Sequence, residues 1–508
     1  MNVDYETPFN VYGGMQDNGN WSGPAYTWKR GGIRTLYWQY LVGGDGFHIA
    51  PDRDDARFGY GTSQNGDLYR YDKQTGYYQS IAPTAKEAST YLRFNWNAAI
   101  AQDPFDKKTI YFGSQFLHKS TNKGASWKII SSDLTTNDSA KIDQTNNGGL
   151  SVDITGAENH CTILTIAPSS VQKDLIWIGT DDGNVQFTAN GGATWNNVTA
   201  NITGLPKGAW IAQVRASTYN ANEVFVVANN YRQGDFAPYV FRTTDQGKTW
   251  TNIVSAAKVT GYALTVIQDI VEPNLFFVGT EQGMYVSLDN AETFQQWKNG
   301  YPSVSTYDFA IQEREADLAI ATFGRALWVL DDIKPLRKLA KNKGVANNFF
   351  VSAPSAVINA SYKNSSYEWS TWGMYDGENR PGGYPISIFI MDSTKIIEIL
   401  AYTIPSLITG GVAYFLFQAH FKDQQKTRRW LIQRDNQKIA LPLRLQAYER
   451  MTLFMERINP SQLMVRINPI STDKNDYENL VIHQIEQEFE HNLTQQIYMS
   501  EETWNVIV

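Results

Sequence analysis

The chain has 508 residues, 42% hydrophobic and 19% charged, with a formal net charge of −7 from 44 basic and 51 acidic side chains, enough for two to four domains or one large repeat architecture. The acidic balance argues against a nucleic-acid protein, which needs a basic stripe to release counterions from phosphate. Cys161 is the only cysteine, so there is no disulfide framework, zinc knuckle or iron–sulfur cluster, which suits a bacterial envelope protein better than an animal extracellular one.

The opening, Met1-Asn-Val-Asp, lacks the basic and apolar regions of a signal peptide, and the chain is expected to start in mid-fold. Up to about residue 390 it is rich in Gly and Trp, with short β-branched or aromatic runs between turn residues. Ile110–Gly113, Ile176–Gly179 and Phe276–Gly279 are such runs. Each leads through a few turn residues into a second strand and then a turn of fixed signature. The signature reads Ser120-Thr-Asn122-Lys-Gly124-Ala-Ser-Trp127, Thr188-Ala-Asn190-Gly-Gly192-Ala-Thr-Trp195 and Thr243-Thr-Asp245-Gln-Gly247-Lys-Thr-Trp250. A worn copy carries Ser287, Asp289 and Phe294. An Asp or Asn side chain closes the turn on nearby N–H groups, and Gly supplies the positive φ of a tight hairpin. The aromatic then buries a large apolar area. Its recurrence after 68, 55 and 44 residues predicts one four-stranded blade per copy.

These turns resemble the Asp-box, or bacterial neuraminidase repeat, of the sialidase-like β-propeller superfamily. Tyr12–Trp21 (YGGMQDNGNW), Gly43–Phe47 (GGDGF) and Ala321–Asp332 (ATFGRALWVLDD) resemble more closely the bacterial sortilin-like proteins often labelled glycosyl hydrolase. The resemblance implies a mainly β fold, a propeller over 1–335. Six blade-like units are expected near 43–80, 96–133, 160–200, 210–254, 262–298 and 305–332. Either residues 1–40 add a seventh, or the ring is truncated, the expectation preferred here. Residues 336–390 are expected to be a linker and the start of a further, truncated β domain.

Beyond 390 only Gly410, Gly411, Trp430 and Trp504 remain of the Gly and Trp, and Leu, Ile, Gln, Glu and Arg take over, a helical composition. Ile399–Ala419 is 21 residues without a charge, the length a helix needs to cross a bilayer. A transmembrane helix is predicted over 396–419. Lys422, Lys426, Arg428 and Arg429 follow it, so the positive-inside rule puts 420–508 in the cytoplasm and the propeller outside it, periplasmic or extracellular. The tail is predicted to hold one helix over Leu441–Ile458 and a second with an apolar stripe of Ile485, Phe489, Leu493 and Ile497. Residues 391–508 resemble an uncharacterised bacterial family with one membrane helix and a helical domain. Both resemblances break at Met391, a plausible translation start, and two merged reading frames are one expectation.

Glycosidases need two facing carboxylates, ~5–5.5 Å apart if retaining and ~6.5–9.5 Å if inverting. Asp17, Asp45, Asp181 and Asp182 are the candidates, with Asp331 and Asp332 beside them. Asp45 leads, because Gly44 and Gly46 would let a ligand approach the backbone. No local motif picks out Arg215, Arg242 and Arg325 as a carboxylate-binding triad. His160-Cys161 is read as core. His483, Glu486, Glu490 and His491 are read as a solvated helix face rather than a metal site. No cofactor is indicated. The resulting expectation is a non-catalytic binding or scaffolding propeller with a protein or glycan ligand on its face, membrane-attached through 396–419. The rival is a sialidase- or xyloglucanase-like glycoside hydrolase.

Overall fold

The computed structural model describes residues 1–28, 32–87, 89–143, 158–342, 350–352, 376–380, 387–389, 413–414 and 440–507. The chain divides into two compact units, Met1–Met391 and Asp392–Val508.

The first unit is a seven-bladed β-propeller. Blade 1 orders Asn2–Val3, Asn10–Met15, Gly19–Pro24 and Gln39–Val42; blade 2 orders Ile49–Pro51, Phe58–Thr62, Leu68–Asp72 and Tyr77–Ser80. Blades 3 to 6 are also four-stranded and span Ile100–Ile129, Ile163–Asn197, Trp210–Asn252 and Ala263–Gln296. Blade 7 has three strands, Thr306–Gln312, Asp317–Thr322 and Leu327–Leu330. Neighbouring strands in each blade are antiparallel and follow one another in chain order, with Ile33–Arg34 set between the third and fourth strands of blade 1. Every second-to-third-strand turn therefore shares one face, here the upper one, with the crossings to the next blade. The first-to-second and third-to-fourth turns share the lower face.

The ring is closed, which corrects the expectation of a truncated one. Blade 1 packs on blade 7 through a core of Phe9, Val11, Tyr26 and Ala319. Gln312 donates to the Asp4 carbonyl at 3.1 Å and Arg314 to that of Tyr5 at 2.8 Å. An unclosed ring would have left this apolar face and its backbone groups to water.

The recurrent turns join third to fourth strands in blades 3 to 6. In blade 3 the Asn122 Oδ1 accepts from the Ser126 N–H at 2.9 Å, and Ser120 Oγ accepts from the Gly124 N–H at 2.9 Å. The geometry repeats at Asn190 with Thr188, Asp245 with Thr243 and Asp289 with Ser287. Two residues in a row are left-handed in each, as at Gln246 (φ 60°) and Gly247 (φ 82°). Blade 6 manages with Ala291 at φ 68°. Two of the tryptophans bond the blade before them, while Trp250 donates to Gly247 in its own turn. Trp127 donates its indole N–H to the Ile81 carbonyl at 2.6 Å and Trp195 to that of Ile130 at 3.0 Å. A Cβ on Gly192 would stand 2.3 Å from that same Ile130 oxygen, so the turn glycine also serves a close approach between blades.

Residues 376–380 return to the propeller as a strap. Asp376–Gly377 pairs with Ile33–Arg34. Asn379 bonds the backbone of Thr27 in both directions, and Arg380 pairs with Glu315, Asp317 and Asp331. Further on, Phe350–Ser352 pairs with Ser387–Phe389.

The second unit is helical where described: 440–458, Pro460–Arg466, Lys474–Asn492 and Glu501–Ile507. Met451, Phe454 and Trp504 form its core, with Phe489 against them. The predicted apolar stripe stops at Phe489. Over Leu493–Tyr498 the helix tightens to a 3₁₀ turn, whose three residues per turn rotate the stripe away, and Leu493 and Ile497 are exposed by 47% and 78%. Among the described residues no helix is long and apolar enough to cross a membrane. The expected span 396–419 lies outside them apart from Ala413 and Tyr414.

Candidate functional site: an aromatic rim over the central channel

The innermost strands of the seven blades surround a channel of about 2810 Å³. Its waist is polar: Arg215 of blade 5 reaches Asp308 of blade 7 at 3.5 Å, and His48 and Gln213 line the wall beside them. Burial lowers the His48 pKa to about 4, so the ring is neutral at physiological pH.

The four candidate aspartates do not line this channel. Asp45 is a buried brace: it accepts from the Asp17 N–H at 2.8 Å and the Trp96 indole N–H at 3.2 Å. The groups that come close to its flanking glycines belong to the protein itself. A Cβ on Gly44 would stand 2.1 Å from Ser63 Oγ, and one on Gly46 2.1 Å from the Gly19 carbonyl. Asp17 is exposed, with left-handed φ of 61° in the second-to-third-strand turn of blade 1.

Asp181 and Asp182 lie beneath the upper face in the corresponding turn of blade 4 and are buried to 0% and 3% exposure. Asp181 accepts from the Thr162 N–H at 2.9 Å and the Asn95 amide at 3.0 Å. Burial, and then the charge of Asp182, push its pKa up to about 7. Asp182 accepts from the Thr136 N–H and hydroxyl, each at 2.7 Å. The pair thus ties blade 4 to the segments that enter blades 3 and 4. Beside it, the Cys161 thiol is pushed up to about 12 by burial and by Asp182, and burial lowers His160 to about 4. A thiol so suppressed, next to an imidazole so reluctant to take a proton, is no nucleophile–base pair.

Asp331 and Asp332 adjoin the strap, Asp331 paired with Arg380 and Asp332 donating its N–H to Asp317. The three arginines do not converge. Arg215 pairs across the channel with Asp308, Arg242 with Glu223 in its own blade at 2.6 Å, and the Arg325 side chain donates to the Gly324 carbonyl. His483, Glu486, Glu490 and His491 are exposed on the tail helix. Among the described residues no group of three or more His, Cys, Asp or Glu could hold a metal ion.

What the upper face does assemble is a ledge of rings on blades 5 to 7. Trp210 opens the inner strand of blade 5, and Tyr231 and Arg232 form its second-to-third-strand turn. Tyr231 stacks on Tyr262 at 4.6 Å between centroids, and Phe236 lies 6.2 Å from Tyr262. Tyr307 stacks on Phe323 at 5.9 Å. Phe236, Tyr307 and Phe323 are 57%, 46% and 72% exposed, a group of aromatic rings open to water. Sequence reasoning missed this ledge, for hydrophobic pattern cannot separate a ring at a strand end that faces the core from one that faces the channel. The available signal was position: Tyr231 and Phe323 occupy turn positions where small polar residues are the norm.

Residues 394–508 match a protein family described as "Family of unknown function (DUF7935)". No curated protein matches the chain. Among solved structures, the chain is similar to the GH74 xyloglucanase from Xanthomonas campestris at 16% identity, over 66% of this chain and 52% of that one, with a TM-score of 0.47. It is similar to the GH74 enzyme from Niastella koreensis at 14% identity, over 62% and 58% of the two chains, with a TM-score of 0.26. YCF48 bound to D1 peptide is similar at 13% identity, over 56% and 78%, with a TM-score of 0.35. This chain spans about half the length of the xyloglucanase. At these identities and TM-scores none of the three carries an argument about chemistry or ligand.

Proposed function

We propose that the propeller is a non-catalytic binding module that takes a segment of a partner protein on its upper aromatic rim. The observation that carries this reading is the pairing of two facts. The exposed Tyr307 and Phe323 line the channel mouth, with Phe236 and Tyr262 beside them, while Asp45, Asp181 and Asp182, three of the four aspartates best placed in sequence for hydrolysis, are used up as internal braces. Large rings that need little ordering are what a protein-binding surface uses as anchors. The hydrogen-bonded turns of blades 3 to 6 support counting the fold among sialidase-like Asp-box propellers. In the same proposal the apolar stretch 396–419 attaches the chain to a membrane, with the propeller outside the cytoplasm and the helical unit inside it.

The test sets the full chain against an array of short random peptides, beside a variant carrying F236S, Y307S and F323S. The reading expects a reproducible subset of peptides to bind the parent chain and to be lost by the variant, while D45N and D181N bind as before. Release of reducing ends from xyloglucan or a sialoglycan, abolished by D45N or D17N, would overturn it in favour of a hydrolase.

A further inference from the structure

On the ledge Arg232 lines the channel, whereas Arg325, beside Phe323, does not. Four arginines line the channel: Arg53, Arg215, Arg232 and Arg380. Arg215 and Arg380 are paired with carboxylates, and Arg53 reaches a backbone carbonyl at 3.4 Å. Among the described residues Arg232 has no carboxylate partner, and its side chain donates from Nη1 to the neutral Asn229 Oδ1 at 3.4 Å.

Its guanidinium is nonetheless held in place. The Cζ lies 3.5 Å from the centroid of the Trp210 ring and 4.5 Å from that of Tyr231, and Gly234, left-handed at φ 76°, closes the turn that presents it. Stacking covers the face of the guanidinium, and the side chain remains exposed, with Nη1 engaged by Asn229. A planar fork fixed in this way is prepared for two parallel hydrogen bonds to a carboxylate. Lining residues continue from Asn159 and Trp210 on one side of Arg232 to Tyr307 and Phe323 on the other, so a chain can run past it in both directions.

We infer that the rim selects an acidic peptide, in which an internal Asp or Glu side chain is gripped by Arg232 while neighbouring apolar side chains lie on Tyr231, Tyr262, Phe236, Tyr307 and Phe323. This rests on the rim being a protein-binding surface and names the chemistry of what it binds. The carboxylate supplies the ion-pair partner that Arg232 lacks among the described residues, and an internal residue rather than a chain terminus suits a surface open at both ends.

The probes are acetyl-Ala-Phe-Asp-Phe-Ala-amide, its Asn counterpart, and an oligosaccharide of glucuronic acid, titrated calorimetrically into the full chain. The Asp peptide should bind about five- to tenfold more tightly than the Asn peptide, the scale of a partly exposed charge-assisted contact. Arg232→Gln should abolish that preference and leave the residual affinity, with Arg232→Lys restoring part of it. F323S should weaken both peptides alike. Equal binding of the two peptides, or a preference that survives in Arg232→Gln with unchanged thermal unfolding, overturns the acidic selectivity and leaves the rim reading standing. Binding of neither peptide overturns both. Tighter binding of the oligosaccharide replaces a protein ligand with a glycan.

Discussion

Replacing Asp181 by Asn tests whether the blade 4 carboxylates are structural. An aspartate carboxyl ordinarily titrates near 3.8, and in the folded propeller burial and Asp182 bring Asp181 to about 7. The folded state therefore holds a proton that the unfolded state gives up. Stability from this group is fully present below pH 3.8 and is lost as the pH rises through 7. The full difference of about three pKa units corresponds to roughly 4 kcal/mol, of which about 2–3 kcal/mol falls between pH 5 and pH 8. Asn cannot ionise. It keeps an oxygen for the Thr162 N–H but presents an amide where the Asn95 amide already donates, a loss of about 1 kcal/mol that does not depend on pH. Urea unfolding of both proteins at pH 5, 6, 7 and 8, followed by tryptophan fluorescence, isolates the effect as the difference between the two curves. Asp181→Asn should gain about 2–3 kcal/mol on the parent across that range. A constant difference, or one with the opposite slope, would refute the reasoning, because it would mean that the Thr162 and Asn95 donors hold Asp181 as a carboxylate.

Three further outcomes follow from the packing. Gly192→Ala places a methyl 2.3 Å from the Ile130 carbonyl at a φ of 99° and should cost about 2–4 kcal/mol in denaturant unfolding. Trp195→Ala removes a half-buried ring and its bond to that same carbonyl, for about 2 kcal/mol. Arg380→Ala leaves Glu315, Asp317 and Asp331 facing one another; burial already holds Asp317 at about 7 against the pull of Arg380. The variant should lose about 2–3 kcal/mol at pH 8 and less at pH 5, where Asp317 takes up a proton, as read by thermal unfolding at the two pH values.

Blades 3 to 6 were readable because their turns encode themselves. Ser/Thr, Asx and Gly act within eight residues, and no distant partner is needed to see why they recur. Blades 1 and 7 were harder to read. The third and fourth strands of blade 1 are parted by residues 25–38, and blade 7 has three strands. The closure contacts, such as Gln312 with Asp4, lie 308 residues apart. The braces were hidden for the same reason. Asp181 meets Asn95 across 86 positions and Asp182 meets Thr136 across 46, and nothing local distinguishes a carboxylate so held from one awaiting a substrate. In the tail, a period of four marks an α-helix well until the backbone tightens after Asn492.

The account stands or falls on where a ligand sits, and hydrogen–deuterium exchange of the full chain saturated with the acidic pentapeptide locates it. Exchange should slow at 231–236, 306–309 and 322–326 on the upper face, with the lower-face turns at 120–127 and 188–195 unchanged. Slowing confined to the lower-face turns would contradict it, as would no slowing at the rim once calorimetry shows the site filled.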